Sequence, residues 1–386
     1  MQQDIVFSIF LIFAGASLLA TFALYTKQPV LIAYIGLGAI VGPFGMGWIE
    51  HPEQLEEMSH IGIIFLLFLL GLDMQPRALL AVLRQASTVG LVSSLVFFVG
   101  GYGLTLAFGY PQMDAVVVGL ALIFSSTIIG LKLLPTTVLH HKHMGELMVG
   151  LLLLQDMLAI FTLILLGVMR GDGEMPVWQP FLALPVVIAV AYYAVKWVIL
   201  PLITRFDRYQ EYLFILAIGW CLAVAEAAKL AGLTYEIGAF IAGITLATSP
   251  IAQFIAISLK PLRDFFLVLF FFALGARLDL GLLSTVAFAS VALAALVLAL
   301  KPVTFRVLLQ KFSEKTSLAW DVGFRLGQIS EFSLLIAFVA AEGGLLSAQG
   351  SLLIQATAII TFVASSYIVV FNYPNPIAVS EKLRRD

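Results

Sequence analysis

The sequence contains few charged residues and one cysteine. Asp, Glu, Lys and Arg make up 11% of its 386 residues and hydrophobic residues 61%, whereas soluble domains carry about 25% charged residues. This balance excludes a soluble enzyme, a disordered chain and a nucleic-acid-binding protein. A lone cysteine, Cys221, excludes a disulfide framework and a thiolate metal site. Glycine-rich nucleotide-binding motifs are missing as well.

Long apolar runs, separated by short polar connections, dominate the sequence instead. A membrane-spanning helix needs about 20 apolar residues, and thirteen windows meet this requirement. These windows cover residues 5–25, 29–49, 59–75, 86–109, 113–134, 144–169, 180–203, 210–230, 233–249, 259–278, 282–309, 316–341 and 346–371. The sequence therefore predicts an all-α polytopic membrane protein with thirteen transmembrane helices.

Lys and Arg concentrate in alternate connections between the predicted spans. One set of connections includes Lys27, Lys142, Arg205, Lys260 and Lys311, whereas the other carries Arg170, Lys229 and Arg277. Because cytoplasmic loops of membrane proteins carry the excess of positive charge, the N-terminus is predicted outside and the C-terminus in the cytoplasm of a cell with an inner (plasma) membrane.

The domain organisation follows from the same pattern. We expect residues 1–378 to form a transmembrane transport domain and residues 379–386 to form a short cytoplasmic tail. No soluble regulatory domain is expected within this sequence.

Asp156 is the strongest candidate for a functional residue. It follows Gln155 near the middle of the sixth predicted span. An ionisable residue at this depth is energetically costly and generally functional, and desolvation disfavours its charged form. Such a carboxyl group suits alternate binding of a proton and a cation. The alternative is a neutral, hydrogen-bonded Asp that only joins helices.

A hydroxyl-rich segment interrupts the fifth predicted span. Ser125, Ser126 and Thr127 are adjacent there, and their side chains could satisfy the backbone of a locally unwound helix. Ordinary packing between membrane helices explains such residues equally well.

A second polar break lies in the twelfth predicted span, at Gly327, Gln328, Ser330 and Glu331. Interrupted spans in corresponding halves of a transporter point to its binding site. The breaks are seven spans apart, so the two spans run in opposite directions. This offset predicts an inverted repeat, with repeat 1 at about 5–170, a linker helix at about 180–203 and repeat 2 at about 210–371.

Two further ionisable residues lie within apolar runs. Lys301 in the eleventh span has two interpretations: its ammonium group extends toward the inner face, or it neutralises Asp156 when no cation is bound. Glu226 in the eighth span is predicted to be a buried acid with a structural hydrogen bond.

These features together resemble the monovalent cation:proton antiporter-2 family across nearly the whole sequence. The matching segments are Gly36–Pro43, Leu69–Asp73, Ser125–Thr127, Gln155–Asp156, Pro261–Asp264, Lys301 and Gly327–Phe332. The Gln155–Asp156 pair is similar to that of the Kef-type potassium:proton exchangers.

The resemblance implies a sodium/proton antiporter-like fold, in which the fifth and twelfth spans are broken and cross at the membrane midplane. It implies that Asp156 binds the monovalent cation or the proton. The cation shell would be completed by Gln155, Ser125, Ser126 and Thr127. Lys301, Gln328, Ser330 and Glu331 would form a charge network at the crossing.

The resemblance also implies a homodimer in the lipid bilayer, with no cofactor in this chain and no nucleic-acid partner. Regulation would come from a cytoplasmic domain or subunit outside this sequence.

We expect a transporter and not an enzyme, exchanging K⁺ or Na⁺ for H⁺ one-for-one and without net charge movement. The alternatives are a ligand-gated potassium efflux system that behaves like a channel, and a membrane sensor that transports nothing.

Overall fold

The computed structural model describes residues 5–49, 53–73, 76–127, 130, 143–169, 179–206, 208–247, 249, 251–279 and 281–375. These residues are predominantly helical and contain no β-strand. The helices are α1 (Ile5–Tyr25), α2 (Val30–Val41), α3 (Glu53–Asp73), α4 (Pro76–Ala107), α5 (Gln112–Ile123), α6 (His143–Met169), α7 (Gln179–Ala194), a π-helical turn (Val195–Ile199), α8 (Leu200–Arg205), α9 (Gln210–Leu230), α10 (Tyr235–Leu246), α11 (Ala252–Ala276), α12 (Leu283–Lys311), α13 (Thr316–Arg325), α14 (Glu331–Glu342) and α15 (Ala348–Asn372).

Seven helical segments among the described residues are long and apolar enough to cross a membrane, and further apolar helices are shorter. The predicted all-α membrane architecture is therefore confirmed, while the number of thirteen spans stays a prediction. The predicted tail, 379–386, lies outside the described residues.

Both predicted breaks are present as interruptions of helical backbone. Helix α5 ends at Ile123, residues 124–126 are not helical, and helix resumes at Thr127. The fifth span is predicted to extend to residue 134. Between Thr127 and residue 134, the structure describes only Gly130. In the twelfth span, α13 ends at Arg325 and α14 begins at Glu331.

The start of α14 is fixed by a capping box. The Ser330 hydroxyl accepts a hydrogen bond from the backbone N–H of Phe332, and the Ser333 hydroxyl accepts one from the backbone N–H of Ser330. These bonds satisfy N–H groups that a helix start leaves without an intrahelical partner. The polar residues at this break therefore allow a helix to begin within an apolar interior.

The helices form two bundles. We call α1, α2, α3, α7, α9, α10 and α11 the scaffold bundle, and α4, α5, α6, α12, α13, α14 and α15 the crossing bundle, because the latter contains both breaks. Close helix–helix approaches fall mainly within each bundle. The bundles meet chiefly through apolar side chains, such as those of Phe270 on α11 and Phe338 on α14.

The two halves of the chain repeat the same order of elements. Each half places a 12-residue helix, α2 or α10, before a longer helix. Each then has a helix of about 30 residues, α4 or α12, before its interrupted span. The scaffold bundle also pairs corresponding helices, because α2 packs on α11 as α10 packs on α3. This arrangement agrees with the predicted inverted repeat.

Glycines permit the closest of these approaches. A Cβ atom on Gly38 would lie 2.0 Å from the backbone oxygen of Phe272, and one on Gly275 would lie 2.0 Å from the oxygen of Ile35. Both clashes involve backbone, which cannot rotate away as a side chain can. Helices α2 and α11 therefore pack with their backbones in contact, as small residues allow in membranes.

We expect Gly38→Ala to lower the stability of the purified protein by about 1–3 kcal/mol, because α2 and α11 must separate to admit the methyl group. Thermal unfolding in detergent measures this effect. Gly36→Ala is the matched control on the same helix, since a Cβ atom there meets nothing within 4 Å. Equal melting temperatures for the two variants would contradict this account.

Candidate functional site

Lys301 joins the two helix breaks. Its Nζ atom lies 2.7 Å from the backbone oxygen of Phe124 and 2.9 Å from that of Gln328, and donates to both. A third bond, of 3.1 Å, reaches the Ser125 hydroxyl. The side chain is fully buried and also lies over the ring of Phe97. One ammonium group thus bonds to both interrupted spans at once.

The interpretation that the Lys301 ammonium group extends toward the inner face is wrong. Its ammonium group does not extend to the inner face, because its hydrogen-bonding groups hold it in the protein interior. No bond to Asp156 is found among the described residues. The ammonium lies instead beside carbonyl groups that follow the ends of α5 and α13, where helix dipoles are negative.

Ser125 and Gln155 add a second connection at the crossing. The Ser125 backbone N–H donates to Oε1 of Gln155 over 2.9 Å, and the Ser125 hydroxyl donates to the backbone oxygen of Leu326 over 2.9 Å. Helix α6 is thereby bonded to the first break, and Ser125 joins that break to the second. The Nε2 atom of Gln155 is buried and has no hydrogen-bond partner within the described part of the chain.

Gln328 is held by Ser126, which the sequence predicted at the site, and by Ser365, which sequence reasoning did not identify. The Ser365 hydroxyl on α15 donates to Oε1 of Gln328 over 2.8 Å, and Nε2 of Gln328 is 3.4 Å from the Ser126 backbone oxygen. Ser333 donates to the backbone oxygen of Ala121 near the end of α5. Buried hydroxyls thus satisfy backbone groups that the broken helices leave unpaired.

A signal for the α15 contribution was present in the sequence. Thr357, Thr361 and Ser365 are spaced four residues apart and are all buried on one face of the helix. The Thr361 hydroxyl accepts from the backbone N–H of Ile329 at 3.4 Å. Residues four apart share one helix face, and hydroxyls on such a face are suited to hydrogen bonds with a neighbouring segment.

Asp156 lies at the deep end of a cavity of about 670 Å³. Its side chain is 4% exposed, and no hydrogen bond is found for its carboxyl group among the described residues. Thr127 and Glu331 line the same region of the cavity, and the two carboxyl groups are close enough to interact electrostatically. Asp156 therefore lines the cavity while being almost fully surrounded by protein.

Glu331 faces Thr127 across the crossing. The Thr127 hydroxyl donates to Oε1 of Glu331 over 2.8 Å. Glu331 begins α14 and Thr127 lies where the other broken helix resumes. Glu331 thus lies at a helix start, where the helix dipole is positive.

The open end of the cavity carries charged residues of α11. Lys260, Arg263 and Asp264 line it, and Lys260 and Asp264 are exposed. Nη2 of Arg263 lies 2.7 Å from Oδ1 of Asp264. We call the side of the molecule where these residues lie the cavity side.

The structure brings the predicted site residues into one region. Ser125, Ser126, Thr127, Gln155, Asp156, Lys301, Gln328, Ser330 and Glu331 all lie at or beside the crossing of the two breaks. The prediction that Glu226 is buried is wrong, because it is exposed on α9. The predicted hydrogen bond is present, because the Glu226 carboxyl group interacts with Tyr235 at the start of α10. The roles of the site residues in ion binding stay predictions.

Comparison with known proteins gives an independent view of the chain. The family model described as "Sodium/hydrogen exchanger, transmembrane" matches residues 9–371. K(+) efflux antiporter 6 of Arabidopsis thaliana is 27% identical over 351 residues, which cover 88% of this chain and 59% of the relative. The putative cation/proton antiporter YbaL of Escherichia coli is 27% identical over 86% of this chain and 62% of the relative.

Similarity extends to a solved structure, that of the sodium proton antiporter MjNhaP1 from Methanocaldococcus jannaschii. The TM-score is 0.71 at 16% sequence identity, with 94% of each chain covered. This likeness confirms the fold. The chain spans about 60% of the length of the plant relatives it matches.

We expect Lys301→Met to destabilise the protein by about 2–6 kcal/mol, because the buried oxygens of Phe124 and Gln328 lose their donor at about 1–3 kcal/mol each. Thermal unfolding in detergent measures the loss. Lys196→Met is the control, since Lys196 is exposed and its replacement should change stability by about 0.5 kcal/mol or less. If both variants unfold at the melting temperature of the parent protein, the conclusion that Lys301 stabilises the two helix breaks is rejected.

Proposed function

The chain belongs to the transmembrane sodium/hydrogen exchanger family, and from that premise we propose that it exchanges K⁺, or Na⁺, for H⁺ across a membrane. The observation that carries the proposal is Asp156 at the deep end of a cavity, beside the crossing of two interrupted helices. Irregular backbone at membrane depth is tolerated where it lines a wet site, and such breaks mark ion sites in transporters.

Asp156 is the proposed carrier of both ions. A single carboxylate accepts either a proton or a monovalent cation, and each occupant neutralises it. Neutralisation matters because moving an unpaired charge through the membrane interior is costly. The site is therefore free to change sides only when one of the two ions is bound, which couples their opposite movements.

The proposed cation shell comprises Asp156 with oxygen groups of Gln155, Ser125, Ser126 and Thr127. Thr127 is the hydroxyl of this set that lines the cavity beside Asp156. Ser125 also has a structural task, because its hydroxyl already bonds to Leu326 and Lys301. In our proposal Lys301, Gln328, Ser330 and Glu331 keep the crossing rigid and balance its charge while the occupant of Asp156 changes.

Alternating access fits the division into two bundles. The crossing bundle carries the site, and its contacts with the scaffold bundle are made chiefly by side chains. Such an interface permits rigid-body movement of one bundle against the other. We propose that this movement turns the site from the cavity side to the opposite side of the membrane.

The proposed stoichiometry is one cation for one proton. Gln155, the neighbour of Asp156, is an amide that neither ionises nor holds a proton. With one titrating carrier, each cycle moves one positive charge in each direction and no net charge. Potassium is the favoured cation because the relatives include proteins named K(+) efflux antiporters.

The assembly and its surroundings belong to the same proposal. We place residues 1–378 in an inner (plasma) membrane, with the N-terminus outside and the cavity side facing the cytoplasm, as the distribution of Lys and Arg predicts. The protein would work as a homodimer under the control of a cytoplasmic domain or subunit. No cofactor is needed in this chain, because the transported ions are its substrates.

We expect Asp156→Asn to abolish cation-dependent proton movement, because an amide cannot carry a proton or neutralise a cation. Proteoliposomes with an internal pH dye measure the exchange on addition of KCl or NaCl. Glu226→Gln removes one acidic group from the exposed face of α9 and should retain exchange. Retained exchange in Asp156→Asn would reject the carrier, and absence of exchange in the parent protein would favour a sensor.

Electroneutral exchange should proceed at the same rate whether or not a membrane potential is imposed on the vesicles. A steep dependence on that potential would reject the one-for-one stoichiometry. Ion current without proton coupling would favour a channel-like system.

A further inference from the structure

Within the described part of the chain, the cavity extends from the site toward Lys260 and Arg263, and a cluster of side chains lies between the bundles on the other side. Phe338 of α14 is at the centre of this cluster and is 7% exposed. On an α-helix it lies about 10 Å beyond Glu331 along the axis. It therefore follows the site in the direction that leads away from the cavity.

Three residues of the scaffold bundle surround the Phe338 ring. His60 of α3 has its ring centroid 5.0 Å away, and Phe270 of α11 meets the ring edge-to-face at 6.0 Å. The guanidinium carbon of Arg277 lies 5.2 Å from the ring centre. Phe270 also lines the cavity, so the Phe270–Phe338 pair separates the cavity from the region around Arg277.

An ion pair lies above this aromatic contact. Nη1 of Arg277, just after α11, donates to Oε1 of Glu342 at the end of α14 over 3.1 Å. Both side chains are about one-third exposed, so the pair lies at the surface of the molecule. It joins the scaffold bundle to the crossing bundle at the end opposite Lys260 and Arg263.

We infer that Phe338 and the Arg277–Glu342 ion pair form the gate that closes the ion site on the side opposite the cavity. The inference rests on the proposed alternating access. Movement of the crossing bundle that admits water from this side must withdraw Phe338 from Phe270 and separate Arg277 from Glu342. These contacts favour the conformation that faces the cavity side, so their strength sets the direction in which the unoccupied site faces.

A cysteine reporter tests the gate without requiring transport. Leu66→Cys, in a Cys221→Ala background, places a thiol on α3 in the cavity lining. A membrane-impermeant maleimide is then applied from either side of oriented membranes. With the gate intact, we expect labelling from the cavity side and little from the opposite side.

Breaking the gate should change this pattern. Glu342→Gln, Arg277→Gln and Phe338→Ala should each raise the labelling rate from the opposite side by about fivefold or more, a ratio that corresponds to about 1 kcal/mol in conformational equilibrium. The reversed pair, Arg277→Glu with Glu342→Arg, should restore the parent rate. Glu236→Gln at the start of α10 removes one acidic charge without touching the gate and should have no effect.

Unchanged labelling in all three single variants would overturn the gate, and failure of the reversed pair to restore the rate would overturn the role of the ion pair. These outcomes are separate from the transport assay. If Asp156→Asn retains exchange while the gate variants shift labelling, the carrier proposal fails and the gate stands. If exchange depends on Asp156 but the gate variants label at the same rate as the parent protein, the carrier proposal stands and the gate is rejected.

Discussion

The architecture of the site depends on the hydrogen bonds that the buried ammonium group of Lys301 donates. Two helices stop inside an apolar protein, and each leaves carbonyl groups that would be costly to bury without a partner. Lys301 donates to the Phe124 and Gln328 oxygens and to the Ser125 hydroxyl. Its charge also opposes the negative ends of α5 and α13. One side chain thus satisfies backbone groups of two interrupted spans and fixes them together.

The two interrupted spans continue as helices, and the start of each helix carries the positive end of its dipole. Thr127 and Glu331 lie at the starts of the resumed helices and are hydrogen-bonded to each other. Asp156 lies in the same part of the cavity. Helix starts favour negative charge, so the crossing separates a cationic region at Lys301 from an acidic region at Asp156. The Lys301 ammonium group is bonded to the helix breaks, and no ion pair between it and Asp156 is found among the described residues.

Helix α11 connects the site with both surfaces of the scaffold bundle. Arg263 lies at the open end of the cavity, and Arg277 lies about 21 Å further along the helix axis, at the closed end. Between them, Phe270 contributes both to the cavity lining and to the contact with Phe338. The molecule is therefore asymmetric along this helix, with the cavity on one side of the site and packed side chains on the other.

The sequence by itself determined the membrane-spanning helical architecture and the two polar breaks, and it identified Asp156 as the candidate carrier. Ionisable and polar groups are costly within long apolar runs, so their positions stand out in the sequence. It did not determine what those groups bond to. The partners of Lys301 are Phe124 and Ser125 on one span and Gln328 on another, and the hydroxyl of Ser365 comes from a third. Only the tertiary structure decided these pairings and the exposed position of Glu226, because hydrogen bonds and burial depend on distances between helices that lie far apart in the chain.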